Sequence, residues 1–433
     1  MGVRAHFGQQ SYVPCWKAEM KKHHSVIIIG GGIVGCSILY GLAKRGWTDC
    51  LLIERLTLTS GSTWHAAGNA SHFPPDMELL PLYAKTIRAY QDAEAESGQS
   101  ISFHQTGSIR LATNQQELDR YERLTAVYEQ FGIPYRVIDK AEIARLHPLL
   151  VTDDLLGGAH TPADGFVDPT GATYALANAA RARGSAILQN SSVLAIEPLP
   201  DGRWSVSSEA GNFTCDQVVL ATSFWARELL EKAGIRVPLY PLEHHEIITE
   251  SSEEIRKLTR ELPVIRDPSV PANIRQERDA FLIGIYEKNP VAWATDGIPP
   301  EFKQELLPSN IDRVVPHLEK LIERLPEFAR LGLKTINNGP ICYTPDGMPL
   351  LGKSTLYDGL WLASGFTVGI GSGGGSGDYL AEQITSGGNS RKLPEVDPDR
   401  FGQDWDPASA ILGIKSHYAA GYSLPDIPLE DAA

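Results

Sequence analysis

The first regular pattern in the chain is an uncharged segment over residues 25–43. It begins with a run of β-branched residues over 26–29, which is typical of a buried parallel strand. Three glycines interrupt the run, and the apolar residues that follow recur at helical spacing: Ile33, Val34, Ile38, Leu39 and Leu42. A second apolar run over 50–53 predicts another strand. The pattern therefore predicts strand, turn, helix and strand in that order.

Periodicity further along the chain predicts more helices and strands. The predicted strands cover 107–112, 185–189, 193–197, 203–208, 217–221, 244–249, 281–286 and 360–364. Helices are predicted over 169–182, 313–325 and 378–384. We expect the helix over 313–325 to be amphipathic, with an apolar face of Val314, Val315, Leu318, Leu321 and Ile322.

The segment 25–43 has the length and the basic flanks of a membrane span or of the apolar part of a signal peptide. Its consecutive glycines argue against both, because each glycine lowers helix propensity. We therefore predict no membrane insertion. Residues 1–21 show no clear period and are interpreted as a leader, with Met20 as an alternative start.

Composition narrows the class of protein. Of the 433 residues, 42% are hydrophobic and 21% are charged, which is ordinary for a folded globular protein. The net charge of −14 argues against a nucleic-acid partner, because binding the phosphate backbone needs surplus Lys and Arg. The five cysteines form no C-x-x-C pair, so neither a metal site nor a disulfide framework is predicted. A reducing compartment fits this usage, so we expect the cytoplasm, or the mitochondrial matrix if the source is eukaryotic.

The glycine turn has the spacing of a dinucleotide-binding motif. Gly30, Gly32 and Gly35 give G-x-G-x-x-G between strand and helix, which suits a tight turn, a close approach to a pyrophosphate and close helix packing. Glu54 follows 19 residues after Gly35, where a carboxylate accepts hydrogen bonds from ribose hydroxyls. The acid argues against NADP and leaves NAD and FAD as alternatives.

Two further segments belong with this motif. A small, polar stretch over 55–68 follows the second strand, where ligands of open α/β sheets bind. A second glycine block covers 365–377 and leads into the helix predicted over 378–384. Such a block can direct backbone N–H groups and a helix dipole at an electron-rich ring edge.

These segments resemble the glycine oxidase and sarcosine oxidase superfamily of FAD-dependent amine oxidoreductases, and within it the dimethylglycine and sarcosine dehydrogenase branch. The resemblance runs from about Ser25 to Tyr422. It is carried by 54–68, which is similar to the flavin-attachment motif of that branch, by 338–340, 344–347 and 349–352, and by the late glycine block. Ser223 departs from the family, which usually has glycine there.

The resemblance implies FAD, bound covalently through His65 to the 8α-methyl group, with noncovalent binding as the alternative. It also implies that the backbone at Val193 meets the adenine. The cofactor-binding residues predicted from motif and resemblance together are Gly30, Gly32, Ile33, Val34, Gly35, Glu54, Arg55, Ser60, Gly61, Ser62, Thr63, Trp64, His65, Ala67, Gly68, Val193, Ala221, Thr222, Trp225, Gly339, Pro340, Gly365, Val368, Gly369, Ile370 and Gly371.

The expected fold is α/β, with a Rossmann-like FAD-binding domain interleaved with an α+β substrate domain built on a mainly antiparallel sheet. We assign 22–98, 155–234 and 335–388 to the FAD-binding domain, and 99–154 and 235–334 to the substrate domain. Residues 389–433 form a C-terminal extension. The family commonly continues into a folate-binding half of comparable length, which this sequence does not include.

The implied reaction oxidises a small secondary or tertiary amine, such as dimethylglycine or sarcosine, by hydride transfer to flavin N5 and hydrolysis of the iminium. The electron acceptor is oxygen or an electron-transfer protein. Candidate catalytic residues are His244, His245 and Arg275; strand alternation sends the two histidines to opposite faces, and His244 is preferred. Asn273, Ile274 and Glu246 replace aromatic residues of the branch, and its catalytic tyrosine has no obvious counterpart. Alternatives are a flavin oxidase of a cyclic amino acid or hydroxy acid, and a flavin-bearing subunit without turnover.

Overall fold

The computed structural model describes residues 21–270 and 272–421. Most of the predicted leader and the last residues of the C-terminal extension lie outside these ranges. The α-helices are α1 (Ile33–Lys44), α2 (Leu80–Ser97), α3 (Gln115–Gln130), α4 (Lys140–Leu146), α5 (Pro169–Ala182), α6 (Trp225–Glu231), α7 (Glu253–Arg256), α8 (Ile311–Arg324), α9 (Gly369–Thr385) and α10 (Pro407–Ala419). The strands are β1 (His23–Ile29), β2 (Cys50–Ile53), β3 (Asn69–Ala70), β4 (Ser108–Ala112), β5 (Arg136–Ile138), β6 (Gly157–Thr161), β7 (Gly165–Phe166), β8 (Ala186–Leu188), β9 (Val193–Pro198), β10 (Trp204–Ser208), β11 (Gly211–Leu220), β12 (Tyr240–Thr249), β13 (Val264–Asp267), β14 (Ala272–Glu277), β15 (Ala280–Ile285), β16 (Leu333–Tyr343), β17 (Leu350–Lys353) and β18 (Leu360–Ser364).

The first sheet has the order β17-β18-β11-β1-β2-β8, with β10 and β9 attached to β11. Its central pairs are parallel, and β1 lies between β11 and β2. Both faces of β1 are buried, since Val26 and Ile28 pack with α1, α2, α5 and α9, while Ile27 and Ile29 pack on the opposite core. A strand buried on both faces explains the continuous apolar run in the sequence.

The second sheet has the order β16-β12-β15-β14-β13-β4-β6-β5. Its pairs are antiparallel except for β13 with β4, which are parallel. One face packs against α8 and neighbouring apolar residues. This sheet takes in β6 and β16, although the sequence-based boundaries place residues of both strands in the FAD-binding segments.

Two sequence-based helices differ from the structure. Helix α9 begins at Gly369 rather than at 378, so most of the late glycine block is helical. The glycines let α9 lie against its neighbours, because a Cβ on Gly375 would lie 1.8 Å from the Leu82 carbonyl oxygen. In α8 the predicted apolar face is only partly buried, since Val315 is 50% exposed. Among the described helices, none combines the length and apolar character needed to cross a membrane.

Candidate cofactor and substrate site

A cavity of about 430 Å³ lies where the carboxyl ends of β1, β11 and β18 meet the face of the second sheet. The cavity has one end lined by the glycine turn and another lined by β4, β12, β13, β14 and β15. Ligands of open α/β sheets bind at such strand ends. The two sheets therefore supply different chemical groups to one continuous space.

The glycine turn is built from residues that tolerate no side chain. Gly30 has a φ of +108°, and a Cβ on it would lie 2.4 Å from the Ala221 carbonyl oxygen. A Cβ on Gly35 would lie 2.0 Å from the Gly30 carbonyl oxygen. Gly35 does not line the cavity; its bare backbone lets the first turn of α1 approach the turn that does.

Glu54 lies at the cavity wall at the end of β2. Its two carboxylate oxygens accept hydrogen bonds from the backbone N–H groups of Gly31, at 2.7 Å, and Leu56, at 2.9 Å. Burial raises the pKa of this carboxyl, and the two backbone N–H groups oppose that shift. The side chain is thus held in one orientation, with lone pairs left for further hydrogen bonds.

Three buried polar atoms on the cavity wall have no hydrogen-bond partner within the described ranges. They are Ser62 Oγ, Asn69 Oδ1 and Thr222 Oγ1. Unpaired buried polar atoms are rare in folded proteins. Together with the bare turn and the fixed acid, they fit a large polar ligand such as FAD in this cavity.

His65 lines the cavity beside β16. A Cβ on Gly339 would lie 2.5 Å from His65 Nδ1, so the ring packs directly on that glycine. The Trp64 ring meets it edge-on, with centroids 5.5 Å apart. Burial lowers the pKa of His65 to about 4. The ring is therefore neutral near pH 7, which leaves one nitrogen with a free lone pair.

Most of the predicted cofactor residues line the cavity: Gly30, Gly32, Ile33, Val34, Glu54, Arg55, Gly61, Ser62, Thr63, His65, Ala67, Gly68, Val193, Ala221, Thr222, Trp225, Gly339, Val368, Gly369 and Ile370. The others do not line it: Gly35, Ser60, Trp64, Pro340, Gly365 and Gly371. Ser60, for example, shares a hydrogen bond with Thr57. Ser223 lines the cavity with a φ of +53°, a conformation that glycine would adopt more easily.

The substrate end is a row of residues paired across neighbouring strands of the second sheet. In order across the sheet, the row is Arg110, Arg266, Asn273, Gly284, Glu246 and Asn337. Every member lines the cavity. The row has two guanidinium groups at one end and a carboxyl group toward the other, with a bare glycine between Asn273 and Glu246.

The guanidinium of Arg110 contacts Phe73 rather than a carboxylate. It lies 3.5 Å from the Phe73 ring centroid and donates to the Phe73 carbonyl oxygen at 3.4 Å. No carboxylate in residues 21–270 and 272–421 forms an ion pair with it. Burial first, and then the charge of Arg266, lowers the pKa of Arg110 to about 10.

The two candidate histidines point to opposite faces of β12. His244 lines the cavity, and its Nδ1 lies 2.8 Å from the Tyr418 hydroxyl oxygen. His245 is fully buried; its Nδ1 lies 2.7 Å from Glu287 and its Nε2 accepts a hydrogen bond from the backbone N–H of Asn310. His245 therefore ties β12 to the start of α8 and, contrary to expectation, does not line the cavity.

Arg275 does not line the cavity, although its charge acts on the Glu246 carboxyl, which does. It is on β14, two residues beyond Asn273, and two of its three guanidinium nitrogens have partners. Its Nε donates to the Ala67 carbonyl oxygen at 2.8 Å, and its Nη1 pairs with Glu277 at 2.7 Å. Arg275 thus connects the sheet to the loop that carries His65.

Arg110, Arg266 and Tyr286 are cavity residues that sequence reasoning missed, and Glu246 was noted only as a departure. A signal for Glu246 was available, because residues two apart on a strand share a face and His244 was already a candidate. Burial raises the pKa of Glu246 to about 7. The arginines gave no local signal, since each is a single charge in a short strand.

The bare turn, the fixed acid and the mixed sheet define an α/β protein with a dinucleotide-binding site. A family model described as FAD dependent oxidoreductase matches residues 25–383, and the chain belongs to this family. The predicted family and α/β fold class are thereby confirmed.

Known proteins agree with this assignment. Rat mitochondrial dimethylglycine dehydrogenase is 39% identical over 401 residues, which are 92% of this chain and 47% of the relative. Human mitochondrial sarcosine dehydrogenase is 34% identical, over 92% of this chain and 44% of the relative. This chain spans about half the length of these relatives. The crystal structure of L-proline dehydrogenase from P. horikoshii superposes with a TM-score of 0.75 at 26% identity, over 88% of this chain and 98% of that one.

Proposed function

We propose that this chain uses FAD to oxidise a small secondary or tertiary amine that carries a carboxylate, such as dimethylglycine or sarcosine. The row across the second sheet is the observation that carries the proposal, because it offers cations at one end and an acid at the other. When bound, FAD supplies the acceptor for a hydride from the carbon next to nitrogen. Water then hydrolyses the iminium, which for an N-methyl substrate releases formaldehyde and the demethylated amine.

Arg110 and Arg266 would bind the substrate carboxylate. Two like charges opposite each other on paired strands repel, and it is unfavourable to bury the Arg110 guanidinium, which forms no ion pair within the described ranges. A carboxylate bound between them would reduce the repulsion and would give Arg110 an anionic partner. Arginine suits this role because its planar fork matches the two oxygens of a carboxylate.

His244 and Glu246 would receive the amine. Both side chains lie over Gly284, where a Cβ would be 3.3 Å from His244 Nε2 and 3.9 Å from Glu246 Cγ. A hydride leaves carbon readily only when the nitrogen lone pair is free, so the ammonium has to lose its proton. Glu246, with its pKa raised to about 7, is the group that would take this proton.

The glycine turn, Glu54, Ser62 and Thr222 would hold the dinucleotide, and His65 would join the flavin covalently at the 8α-methyl group. A neutral imidazole nitrogen is the nucleophile that this bond needs. Acid precipitation tests the link: the pellet of the wild-type protein should stay yellow, while a colourless pellet with yellow supernatant would contradict covalent attachment.

A cyclic secondary amine is the second candidate, since the superposed structure is that of an L-proline dehydrogenase. Anaerobic flavin reduction across a panel separates the candidates. We expect dimethylglycine and sarcosine to bleach the flavin faster than proline or hydroxy acids do. Faster reduction by proline would favour the second candidate, and a flavin that no compound reduces would favour a subunit without turnover. Peroxide measured on reoxidation in air would show whether oxygen is the acceptor.

A further inference from the structure

Tyr418, near the end of α10, reaches the candidate active site from the C-terminal extension. It is 1% exposed, and its ring lies 5.8 Å from the His244 ring and 5.3 Å from the Tyr286 ring. The sequence-based division places α10 outside both domains. A residue from outside them therefore contacts the histidine that lines the cavity.

The Tyr418 hydroxyl lies within hydrogen-bond distance of the Ile285 carbonyl oxygen and of His244 Nδ1. It donates to the Ile285 carbonyl oxygen at 3.1 Å, because a carbonyl can only accept. The hydroxyl has one proton, so in its contact with His244 Nδ1 at 2.8 Å it must be the acceptor. That direction of donation puts the proton of a neutral His244 ring on Nδ1.

The other ring nitrogen is left to face the cavity. Burial lowers the pKa of His244 to about 3, so the ring is neutral near pH 7 and Nε2 has a free lone pair. Nε2 lies over Gly284, which is a cavity residue without a side chain. His244 and Gly284 both line the cavity, so this lone pair lies at the substrate end.

We propose that Tyr418 is a positioning residue, which fixes the tautomer of His244 so that its Nε2 accepts a hydrogen bond from the substrate ammonium. With a secondary ammonium such as that of sarcosine, which has two N–H groups, His244 accepts a hydrogen bond from one and Glu246 takes the other proton. The tautomer is a property of the protein itself, whereas its use by an amine rests on the proposed function.

Nitrogen NMR of histidine-labelled holoenzyme tests the tautomer directly. The His244 signals are identified by their loss in His244→Gln. We expect a protonated Nδ1 and an unprotonated Nε2 in the wild-type protein. Tyr418→Phe removes the acceptor and leaves the buried Nδ1–H unpaired, so we expect the ring to shift toward the Nε2–H tautomer. An Nε2–H tautomer in the wild-type protein, or no change in Tyr418→Phe, would overturn the proposal.

Ligand affinity tests the consequence: the concentration dependence of anaerobic flavin reduction gives the Kd of a substrate, and the shift in flavin absorbance gives the Kd of a ligand that is not oxidised. The probes are sarcosine and (methylthio)acetate, its sulfur isostere without an N–H. In Tyr418→Phe we expect sarcosine to bind about 10-fold more weakly, the equivalent of one hydrogen bond, and the isostere to bind within about twofold of wild type. Equal losses for both probes would show a merely structural role and overturn the proposal.

Ser416→Ala is the matched control, because it removes one hydroxyl from the exposed side of the same helix. It should change neither the tautomer nor the ratio of the two affinities. Retained flavin and an unchanged melting temperature in Tyr418→Phe establish that the variant is folded. Failure of sarcosine to bind the wild-type protein would contradict the proposed function, while the NMR result would still decide the tautomer.

Discussion

Arg110 and Arg266 lie opposite each other on the parallel strands β4 and β13, and both face the cavity. Their repulsion opposes folding, so the arrangement indicates a role in binding. We predict that Arg110→Met raises the KM for dimethylglycine by about 10- to 100-fold, because one charge-assisted hydrogen-bond pair is lost. Steady-state kinetics measure the change.

The same variant should not be destabilised. Removing one of two neighbouring cations relieves repulsion, and the methionine keeps the apolar stem against Phe73. Arg136→Met, on an exposed arginine, is the control and should leave the KM unchanged. A KM for Arg110→Met equal to that of wild type would contradict the role of Arg110.

We expect kcat/KM to depend on pH through the titration of Glu246. The carboxylate is the active form, so kcat/KM should rise with pH through about 7, where burial places the pKa of Glu246. Glu246→Gln should remove this limb of the profile and lower the rate by about 10²- to 10⁴-fold, the usual range for a lost general base. An unchanged acid limb in Glu246→Gln would assign the titration to another group.

The free energy of unfolding should depend on pH in the opposite sense, again through Glu246. The folded-state pKa is raised from the ordinary 4.5 to about 7, so the folded protein favours the protonated carboxyl. Its stabilising effect is present below pH 4.5 and is lost as the pH rises to about 7. Relative to wild type, Glu246→Gln should therefore gain stability across this window, as measured by denaturant unfolding.

The sequence located the dinucleotide end well, because its signals are local. The spacing of Gly30 to Gly35 and the position of Glu54 follow from one turn and one strand pair, and the structure places them together. The substrate end depends on pairing between strands far apart in the chain. Arg110 reaches Arg266 and Glu246 only through the register of five neighbouring strands, which periodicity does not reveal.

Arg275 illustrates the same limit within one strand. It shares a face with Asn273, so alternation was a sound guide to the side of the sheet on which it lies. The register of β14 places it outside the cavity lining, where its Nε donates to Ala67 and its Nη1 pairs with Glu277. Alternation gives the face of a residue, while only the tertiary register gives its position along that face.

The variant Gly35→Ala tests whether the first turn of α1 must lie close to the glycine turn. Gly35→Ala would place a Cβ 2.0 Å from the Gly30 carbonyl oxygen, so α1 must move away from the turn. We expect a loss of about 2 kcal/mol or more in stability and a fall in bound flavin. Gly332→Ala, whose Cβ would meet only the Glu250 side chain at 3.2 Å, should keep both close to wild type. Full flavin content in Gly35→Ala would contradict the close approach.

His65→Ala tests the flavin link separately from flavin binding. The remaining contacts of the glycine turn and Glu54 should still hold FAD, so the variant should be yellow when native. On acid precipitation, its colour should move to the supernatant, whereas the wild-type pellet keeps it. Yellow pellets from both proteins would place the bond on another residue.

Anaerobic mixing with dimethylglycine and with N,N-dimethylethylamine, the matched amine without a carboxylate, tests whether the two arginines select a substrate that carries a carboxylate. Loss of the visible flavin absorbance reports reduction. We predict that dimethylglycine reduces the flavin rapidly and that the other amine reduces it at least about 100-fold more slowly, because only the first can bind the two arginines. Equal rates for the two amines, or folded protein without any flavin, would contradict it.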